Sequence, residues 1–236
     1  MELTSTGGRK GATTFVLIPG AGGSAWYWHL VVPELETAGH EAIAVDIPQD
    51  DPSLGLPEYA DAVEQAIGDR KDGVLVAQSM GAFTAPMVAT RTPVRLVALV
   101  NAMVPLPGET PGQWWDNTGQ PAAMRAADDR ASRRGGFDAA THFLHDVPNE
   151  VLEGAPDPRG PADTPFGQAC EFPGWDGIPV RSLIGTDDRF FPPEFQRHLA
   201  RERLGIVPDE LPGGHLIALS NPRGVARWLR NVAAPN

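Results

Sequence analysis

The chain has 236 residues and a formal net charge of -11 at pH 7, with 42% hydrophobic and 21% charged residues. This composition is ordinary for a globular protein and excludes a wholly disordered or collagen-like chain. The 30 acidic against 19 basic residues argue against nucleic acid and anionic membrane surfaces as partners, and the single cysteine, Cys170, excludes an internal disulfide.

Short apolar runs alternate with amphipathic stretches, which is the pattern of β-α-β units and a parallel sheet. The predicted strands are Thr14–Ile18, Glu41–Val45, Val74–Ala77, Leu96–Val100, Val180–Ile184 and Ile206–Leu211. The predicted helices between and after them are Trp28–Thr37, Pro57–Ile67, Met80–Thr90, Pro193–Arg203 and Pro222–Val232. The sequence therefore predicts an α/β fold with an open, doubly wound, mostly parallel sheet of about six strands.

Residues 103–177 interrupt this rhythm between the fourth and fifth strands and are rich in proline and glycine. Short helical patterns occur at Pro121–Arg133, at Asp138–Val147 and again after Pro148. Because a structureless loop of this length is unusual inside a compact domain, we expect an inserted cap of short helices. We predict a core made of residues 1–102 and 178–236, with residues 103–177 as the cap.

No part of the sequence predicts a membrane partner or export. The longest apolar run, Leu96–Val100, is far shorter than a membrane span. The stretch Met1–Gly11 has no apolar segment of the kind that signal peptides carry. We therefore expect a cytoplasmic protein. The oligomeric state is left open.

The stretch Val74–Ala82 (VLVAQSMGA) carries the strongest chemical signal in the sequence. An apolar strand leads directly into Ser79, a helix follows, and the small residues Ala77 and Gly81 lie two positions before and after the serine. A nucleophilic serine on a strained strand-to-helix turn needs small neighbours, because the two backbones come close together. The pattern predicts a nucleophile elbow, although Ala77 stands where glycine is usual. The alternative is a serine that caps an ordinary turn.

Candidate partners for Ser79 follow the last two predicted strands. Asp187 and Asp188 follow the fifth strand, and the glycine-flanked His215 follows the sixth. A serine hydroxyl is a weak nucleophile until a base accepts its proton, and that base needs a carboxylate to orient it. The order Ser79, Asp188, His215 is the chain order that the elbow predicts. Asp187 stays open as the alternative acid. Taken singly, either aspartate could instead cap the helix that follows, and His215 could be a loop histidine that bonds to backbone.

The turn Ile18–Ser24 (IPGAGGS) follows the first strand and can aim backbone N–H groups at the same site. An oxyanion needs two such donors, and we predict those of Ala21 and Met80. The glycines of this turn do not have the G-x-G-x-x-G spacing, because Ala25 stands at the last glycine position. The sequence therefore predicts no dinucleotide and no other cofactor.

Two histidines and an aspartate in the predicted cap, His142, His145 and Asp146, have a spacing that resembles a metal pair. A third clear ligand is absent from the sequence pattern, so we predict no metal and expect these side chains to pack within the cap. Cys170 is expected to be a buried thiol rather than a nucleophile.

At this point the chain resembles the α/β-hydrolase superfamily over nearly its whole length. More narrowly, it is similar to the branch that holds the plant hydroxynitrile lyases and methylesterases and their bacterial relatives. The stretches that carry this resemblance are Pro19–His29 (PGAGGSAWYWH), Ala38–His40 (AGH), Gln78–Gly81 (QSMG) and Gly214–His215 (GH). The superfamily often shows G-x-x-D-x-x-x-P at the triad acid, and Gly185, Asp188 and Pro192 fit that spacing. The resemblance thus favours Asp188 over Asp187.

The resemblance also bears on the reaction. The lyases share a threonine in the oxyanion turn and a lysine after the histidine, where this chain has Gly20 and Leu216. A cation would handle a cyanide leaving group, so its absence favours an esterase. We expect a serine hydrolase acting on a small to medium apolar ester, with Gly20, Trp114, Trp115 and Leu216 at the substrate. The alternatives are lyase, cyclase or acyl-transfer chemistry on a secondary metabolite, or a ligand-binding protein on a hydrolase scaffold.

Overall fold

The structure, a computed structural model, describes residues 12–234. Within these residues, one sheet contains six strands in the order β2-β1-β3-β4-β5-β6, and every neighbouring pair is parallel. The strands are β1 (Thr14–Ile18), β2 (Glu41–Ala44), β3 (Gly73–Gln78), β4 (Val94–Val100), β5 (Val180–Gly185) and β6 (Asp209–Leu211). The segment 1–11, on which the expectation about export rests, lies outside the described residues.

Helices flank this sheet on both sides. They are α1 (Val32–Thr37), α2 (Leu56–Ile67), α3 (Gly81–Arg91), α4 (Pro111–Thr118), α5 (Gln120–Arg130), α6 (Ala139–His142), α7 (Asn149–Glu153), α8 (Pro193–Leu204), α9 (Ile217–Ser220) and α10 (Pro222–Val232). Two short 3-10 helices add to them, at Ala25–Trp28 and Thr164–Gly167. Within residues 12–234, no helix combines the length and the hydropathy that crossing a membrane requires. The predicted doubly wound α/β fold is confirmed.

The core consists of two apolar layers, one on each face of the sheet. Successive side chains of a strand point to opposite faces, so Val16 and Ile18 of β1 join one layer while Phe15 and Leu17 join the other. The first layer packs against α2, α3, α4 and α8, and the second against α1, α9 and α10. This two-sided burial explains why the central strands are almost continuously hydrophobic.

The predicted helix Trp28–Thr37 forms only over its second part, as α1 from Val32 to Thr37. Trp28 is instead the last residue of the 3-10 helix Ala25–Trp28, and residues 29–31 form a turn. Pro33 explains this start, because proline lacks the N–H that would continue a helix and is tolerated only in a first turn.

The predicted last strand, Ile206–Leu211, is also shorter in the structure. β6 begins at Asp209, directly after Pro208. Proline cannot donate to a strand ladder, and the N–H of Ile206 bonds back to the carbonyl of Ala200 in α8, at 3.4 Å.

The residues between β4 and β5 differ from the predicted helices in detail. Of the predicted Asp138–Val147 helix, only α6 forms, and the predicted Pro121–Arg133 helix ends at Arg130 as α5. The helix α4 was not predicted, although Thr110 and Gln113 form a capping box that marks its start. These short helices lie at the carboxyl edge of the sheet, where the loops after β1, β3, β5 and β6 converge.

Candidate active site

Ser79 occupies a strained turn between β3 and α3. Its φ is +49°, which is in the left-handed region that side chains other than glycine rarely adopt. A β-carbon on Gly81 would lie 2.6 Å from the carbonyl oxygen of Pro19, so only glycine allows the start of α3 to approach the end of β1 this closely. The elbow geometry therefore depends on Gly81.

His215 and Asp188 meet Ser79 in a continuous chain of hydrogen-bonding contacts. His215 Nε2 lies 3.2 Å from Ser79 Oγ, and His215 Nδ1 lies 2.9 Å from Asp188 Oδ2. Asp188 Oδ1 also accepts the backbone N–H groups of Phe190 at 2.9 Å and Phe191 at 2.8 Å. Both the His215 and Asp188 side chains are almost completely buried. The arrangement orients the imidazole so that Nε2 faces the serine hydroxyl.

Asp187, the alternative acid, faces another way. Its Oδ2 accepts the backbone N–H of Gly213 at 3.1 Å and the hydroxyl of Thr186 at 3.2 Å. The residue is exposed, whereas Asp188 is buried beside the imidazole. Of the two neighbouring carboxylates, the structure brings Asp188 to His215.

Three phenylalanines enclose the imidazole of His215. The ring of Phe143 stacks on it, with centroids 5.1 Å apart and an angle of 22° between the planes. Phe190 and Phe191 approach nearly edge-on, with centroid distances of 5.1 and 4.7 Å. This apolar enclosure keeps water from the faces of the ring and limits its rotation.

A residue that sequence reasoning missed, Asn101, connects the loops that follow β5 and β6. It directly follows β4, has φ +43° and is completely buried. Its Nδ2 donates to the carbonyl oxygens of Gly214 at 2.9 Å and His215 at 3.1 Å. Its Oδ1 accepts the N–H of Gly185 at 2.7 Å. A polar side chain at the carboxyl end of a buried strand was the available signal in the sequence.

Of the predicted oxyanion donors, Met80 directly follows Ser79, and Ala21 lies in the turn after β1. Among residues 12–234, neither backbone N–H donates to a protein acceptor. Gly20 packs directly against the elbow, since a β-carbon there would lie 2.9 Å from Cβ of Ser79. Met80 immediately precedes the first residue of α3, so the positive end of that helix dipole adds to the field at the site. Neither N–H is thus engaged by a protein acceptor in the described residues, as the predicted role requires.

A cavity of about 490 Å³ lies above Ser79, between the sheet edge and the residues that join β4 to β5. Its walls are mainly aromatic and aliphatic, and they include Trp26, Tyr27, Trp115, Phe143, Phe166, Phe190, Leu216 and Leu219. Of the residues predicted to contact substrate, Trp115 and Leu216 line it. Burial raises the pKa of the Tyr27 hydroxyl, which keeps this group protonated and neutral at the cavity wall.

Trp114 and Gly20, also predicted to contact substrate, do not line this cavity. Trp114 is completely buried, and its Nε1 donates to the carbonyl oxygen of Val104 at 3.1 Å. Consecutive residues on a helix point about 100° apart, so Trp115 can face the cavity only when Trp114 turns into the core. Gly20 lies within the turn, and its missing side chain allows the turn to approach Ser79 closely.

The residues with metal-like spacing are not gathered around one point. His142 Nε2 bonds to Asp128 at 2.9 Å, and Asp128 in turn pairs with Arg133 at 2.7 Å. His145 is separate and lies 3.9 Å from Asp146. In the part of the chain that the structure describes, no three His, Cys, Asp or Glu side chains are arranged to hold a metal ion.

Cys170 lies in the core rather than at the cavity. Its Sγ donates to the carbonyl oxygen of Phe83 at 3.1 Å. Burial raises the pKa of this thiol, so the nucleophilic thiolate is disfavoured.

A family model described as the alpha/beta hydrolase family matches residues 15–228. The chain belongs to this family. The matched range contains the elbow, Asp188 and His215, so the geometry described above lies within the part that the family shares.

Several known proteins are similar to the chain. Norfluorocurarine synthase 1 from Strychnos sp is 23% identical over 256 residues, which covers 93% of this chain and 94% of that protein. Methylesterase 3 from Arabidopsis thaliana is 29% identical over 114 residues, which covers 43% of each. The crystal structure of polyneuridine aldehyde esterase has a TM-score of 0.76 at 19% identity, covering 94% of this chain and 100% of that one, and it supports the fold. The resemblance to the branch that contains methylesterases is confirmed.

Proposed function

We propose that the protein is a cofactor-independent serine hydrolase that cleaves small to medium apolar esters through an acyl-serine intermediate. The observation that carries this proposal is the contact chain from Ser79 through His215 to Asp188, at 3.2 and 2.9 Å, at the floor of an apolar cavity. A hydroxyl, a buried base and an orienting carboxylate in this geometry suit nucleophilic acyl chemistry.

Acylation begins when Ser79 Oγ attacks the ester carbonyl carbon while His215 Nε2 accepts the hydroxyl proton. Asp188 holds the imidazole and stabilises its positive charge. The carbonyl oxygen becomes an oxyanion, which accepts the N–H groups of Ala21 and Met80. The C–O bond to the alcohol then breaks, and the alcohol leaves with the proton from His215. Water then loses a proton to His215 and attacks the acyl carbon. The bond between that carbon and Ser79 Oγ breaks, Oγ takes the proton back from His215, and the acid leaves.

The lining of the cavity is evidence that the substrate is apolar. Its aromatic walls offer dispersion contacts and exclude water, and Trp115 and Leu216 are well placed to contact the acyl or alcohol part. Residues 103–177 supply Trp115, Phe143 and Phe166, and we propose that this segment acts as the cap over the core formed by residues 1–102 and 178–236. The names of methylesterase 3 and polyneuridine aldehyde esterase agree with ester chemistry. A cytoplasmic location and a bacterial source are predictions from the sequence.

A second candidate function is non-hydrolytic chemistry at the same centre. The observation in its favour is norfluorocurarine synthase 1, a relative along 93% of the chain that is by name a synthase. Against a cyanide-releasing lyase stands Leu216, which lines the cavity where a cation would be needed. A synthase or lyase would turn over its substrate without transferring the acyl group to water.

The test is hydrolysis of p-nitrophenyl acetate and butyrate by the wild type and three variants. We expect Ser79→Ala to lower kcat by about 10⁴-fold or more and Asp188→Asn by about 10⁴-fold, because the first removes the nucleophile and the second leaves the imidazole wrongly oriented. Asp187→Asn is the matched control and should stay within about threefold of wild type, because Asp187 faces away from His215.

Labelling with a fluorophosphonate, followed by peptide mass spectrometry, checks the nucleophile without a natural substrate. One adduct on Ser79 supports an activated serine with an oxyanion site. Folded protein that stays unlabelled and hydrolyses neither ester would contradict the proposal and favour a ligand-binding protein on the same scaffold.

A further inference from the structure

The oxyanion turn is held by a side chain from another part of the chain. Gln49 lies beyond the end of β2 and is only 3% exposed. Its Nε2 donates to the carbonyl oxygen of Gly20 at 2.9 Å, and its Oε1 accepts the backbone N–H of Gly22 at 2.8 Å. The amide therefore hydrogen-bonds to the residue before and the residue after Ala21, which is the residue proposed to supply one oxyanion donor.

The direction of the Ala21 N–H follows from these hydrogen bonds. The carbonyl of Gly20 and the N–H of Ala21 belong to one planar trans peptide unit, in which they point in opposite directions. Since Gln49 holds the carbonyl on its own side, the N–H must point away from Gln49. Ala21 lines the cavity above Ser79.

We propose that Gln49 is a positioning residue that aims the Ala21 N–H at the oxyanion of the reaction. The inference rests on the proposed hydrolase function and adds a residue that touches neither substrate nor Ser79. Gly20, Gly22 and Gly23 carry no side chains that could restrict the rotation of the peptide units. Within the turn, the N–H of Gly23 also donates to the carbonyl oxygen of Gly20, at 3.1 Å, so Gln49 adds a second hydrogen bond to that carbonyl.

Hydrogen bonding by Gln49 also makes the Ala21 N–H a better donor. A hydrogen bond to the carbonyl oxygen polarises the whole amide, which strengthens its N–H as a donor, by about 10–30% in condensed-phase estimates. The burial of Gln49 keeps water from competing for the carbonyl of Gly20. The donor is then preorganised before the substrate arrives, which is the condition under which an oxyanion site is most effective.

Gln49 also joins the turn to the segment above the cavity. Its backbone carbonyl accepts the N–H of Ala162 at 2.7 Å, and a β-carbon on Gly22 would lie 2.6 Å from the carbonyl oxygen of Arg159. Arg159 lines the cavity. One buried residue thus contacts both the turn, through its side chain, and Ala162, through its backbone.

The experiment compares Gln49→Met and Gln49→Glu with wild type on p-nitrophenyl acetate. Methionine keeps the size of the side chain and loses both hydrogen bonds, whereas an ionised carboxylate keeps the acceptor for Gly22 and cannot donate to Gly20. We expect each variant to lower kcat by about 10–100-fold with KM changed by less than about threefold, because the loss falls on the transition state. Phosphonylation of Ser79 by the fluorophosphonate should slow by a similar factor.

A pH profile separates positioning from general stability. A protonated carboxyl can donate to Gly20, so the kcat deficit of Gln49→Glu relative to wild type should shrink as the pH falls from about 8 to about 6. Gln168→Met is the matched control. Gln168 is also a glutamine that contacts backbone from a distant segment, because its Oε1 accepts the N–H of Leu56 at 2.6 Å. It makes no hydrogen bond to the turn after β1 in the described residues. It should lower the melting temperature and leave kcat unchanged.

The outcomes distinguish the two proposals. Hydrolysis that Ser79→Ala abolishes, with kcat of both folded Gln49 variants within about twofold of wild type, would overturn the role of Gln49 alone. Hydrolysis that Ser79→Ala leaves intact would overturn the proposed function and this inference with it. If Gln49→Met does not fold, Gln49→Glu and its pH profile decide the question.

Discussion

Histidines of this protein meet different surroundings, and these decide what each imidazole can do. His215 is buried between phenylalanines with Asp188 on one nitrogen and Ser79 on the other, so it can move a proton. His142 is also buried, and the charged side chain that it contacts is Asp128. This contact joins α5 to α6, which suits a structural role. Both residues are histidines. Their neighbours alone make one suited to accept a proton from a serine and the other suited to a structural contact.

His40 has a third kind of surrounding. Its Nδ1 accepts the backbone N–H of Thr13 at 3.2 Å, which requires a neutral ring. Burial, and then the charges of Arg230 and Arg95, lower the pKa of His40 below its usual range. As the pH falls, His40 therefore binds a proton at a higher pH in the unfolded chain than in the folded protein. Stability from this group is complete above about pH 6.5 and is lost as the pH falls below that value.

We predict that His40→Gln reduces the fall in the free energy of unfolding between about pH 7 and pH 5.5, because glutamine can accept from Thr13 without titrating. Urea unfolding at several pH values measures this slope. His198→Gln, on an exposed helix surface, is the control and should keep the wild-type slope. An unchanged slope in His40→Gln would show that other groups, such as His145 with its similarly lowered pKa, govern the acid sensitivity.

Among the elements, the end of β1 and the start of α3 come very close together beside Ser79. Gly81 is the first residue of α3, and its missing side chain lets the carbonyl of Pro19 approach. The turn with the proposed oxyanion donor Ala21 follows the strand, and Ser79, the proposed nucleophile, precedes the helix. The spacing of strand and helix therefore sets the distance between these two residues. Helix propensity would favour alanine at this position, and the close packing overrides it.

We predict that Gly81→Ala lowers the free energy of unfolding by about 1–3 kcal/mol and also lowers kcat, because the added methyl group pushes β1 and α3 apart. Gly73→Ala at the other end of β3 is the matched control, since a β-carbon there lies 3.5 Å from its nearest neighbour, an ordinary contact. Urea unfolding and p-nitrophenyl acetate hydrolysis measure the two effects. Equal losses in both variants would contradict the role of the close approach.

At the scale of the whole molecule, a buried ion pair joins the residues after β4 to α8. Arg203 contacts both carboxylate oxygens of Glu109, at 2.5 and 3.0 Å, and the two side chains are only 5% and 3% exposed. Arg203 also donates to the carbonyl of Val104 at 2.7 Å, and Asn117 donates to Glu109 at 2.8 Å. The network satisfies the buried charges and fixes the start of the segment between β4 and β5 against α8.

We predict that Arg203→Met lowers the free energy of unfolding by about 3–5 kcal/mol, because Glu109 would be left buried without its partner. Arg130→Met, whose pair with Glu194 is 61% and 75% exposed, is the control and should cost less than about 1 kcal/mol. Urea unfolding of both variants provides the measurement. A double variant, Arg203→Met with Glu109→Leu, should regain part of the loss, and its failure to do so would argue against an unpaired charge as the cause.

The sequence by itself determined the parallel α/β fold, the turn that carries Ser79 and the chain order of the acid and base. These features rest on local periodicity and on small residues at fixed spacing, which can be read without knowledge of contacts. Only the tertiary structure decided that Asp188 rather than Asp187 meets His215, that Trp115 rather than Trp114 faces the cavity, and that Asn101 and Gln49 brace the site. Those outcomes depend on hydrogen bonds and packing between segments far apart in the chain, and neighbouring residues of one type differ there only in the direction they face.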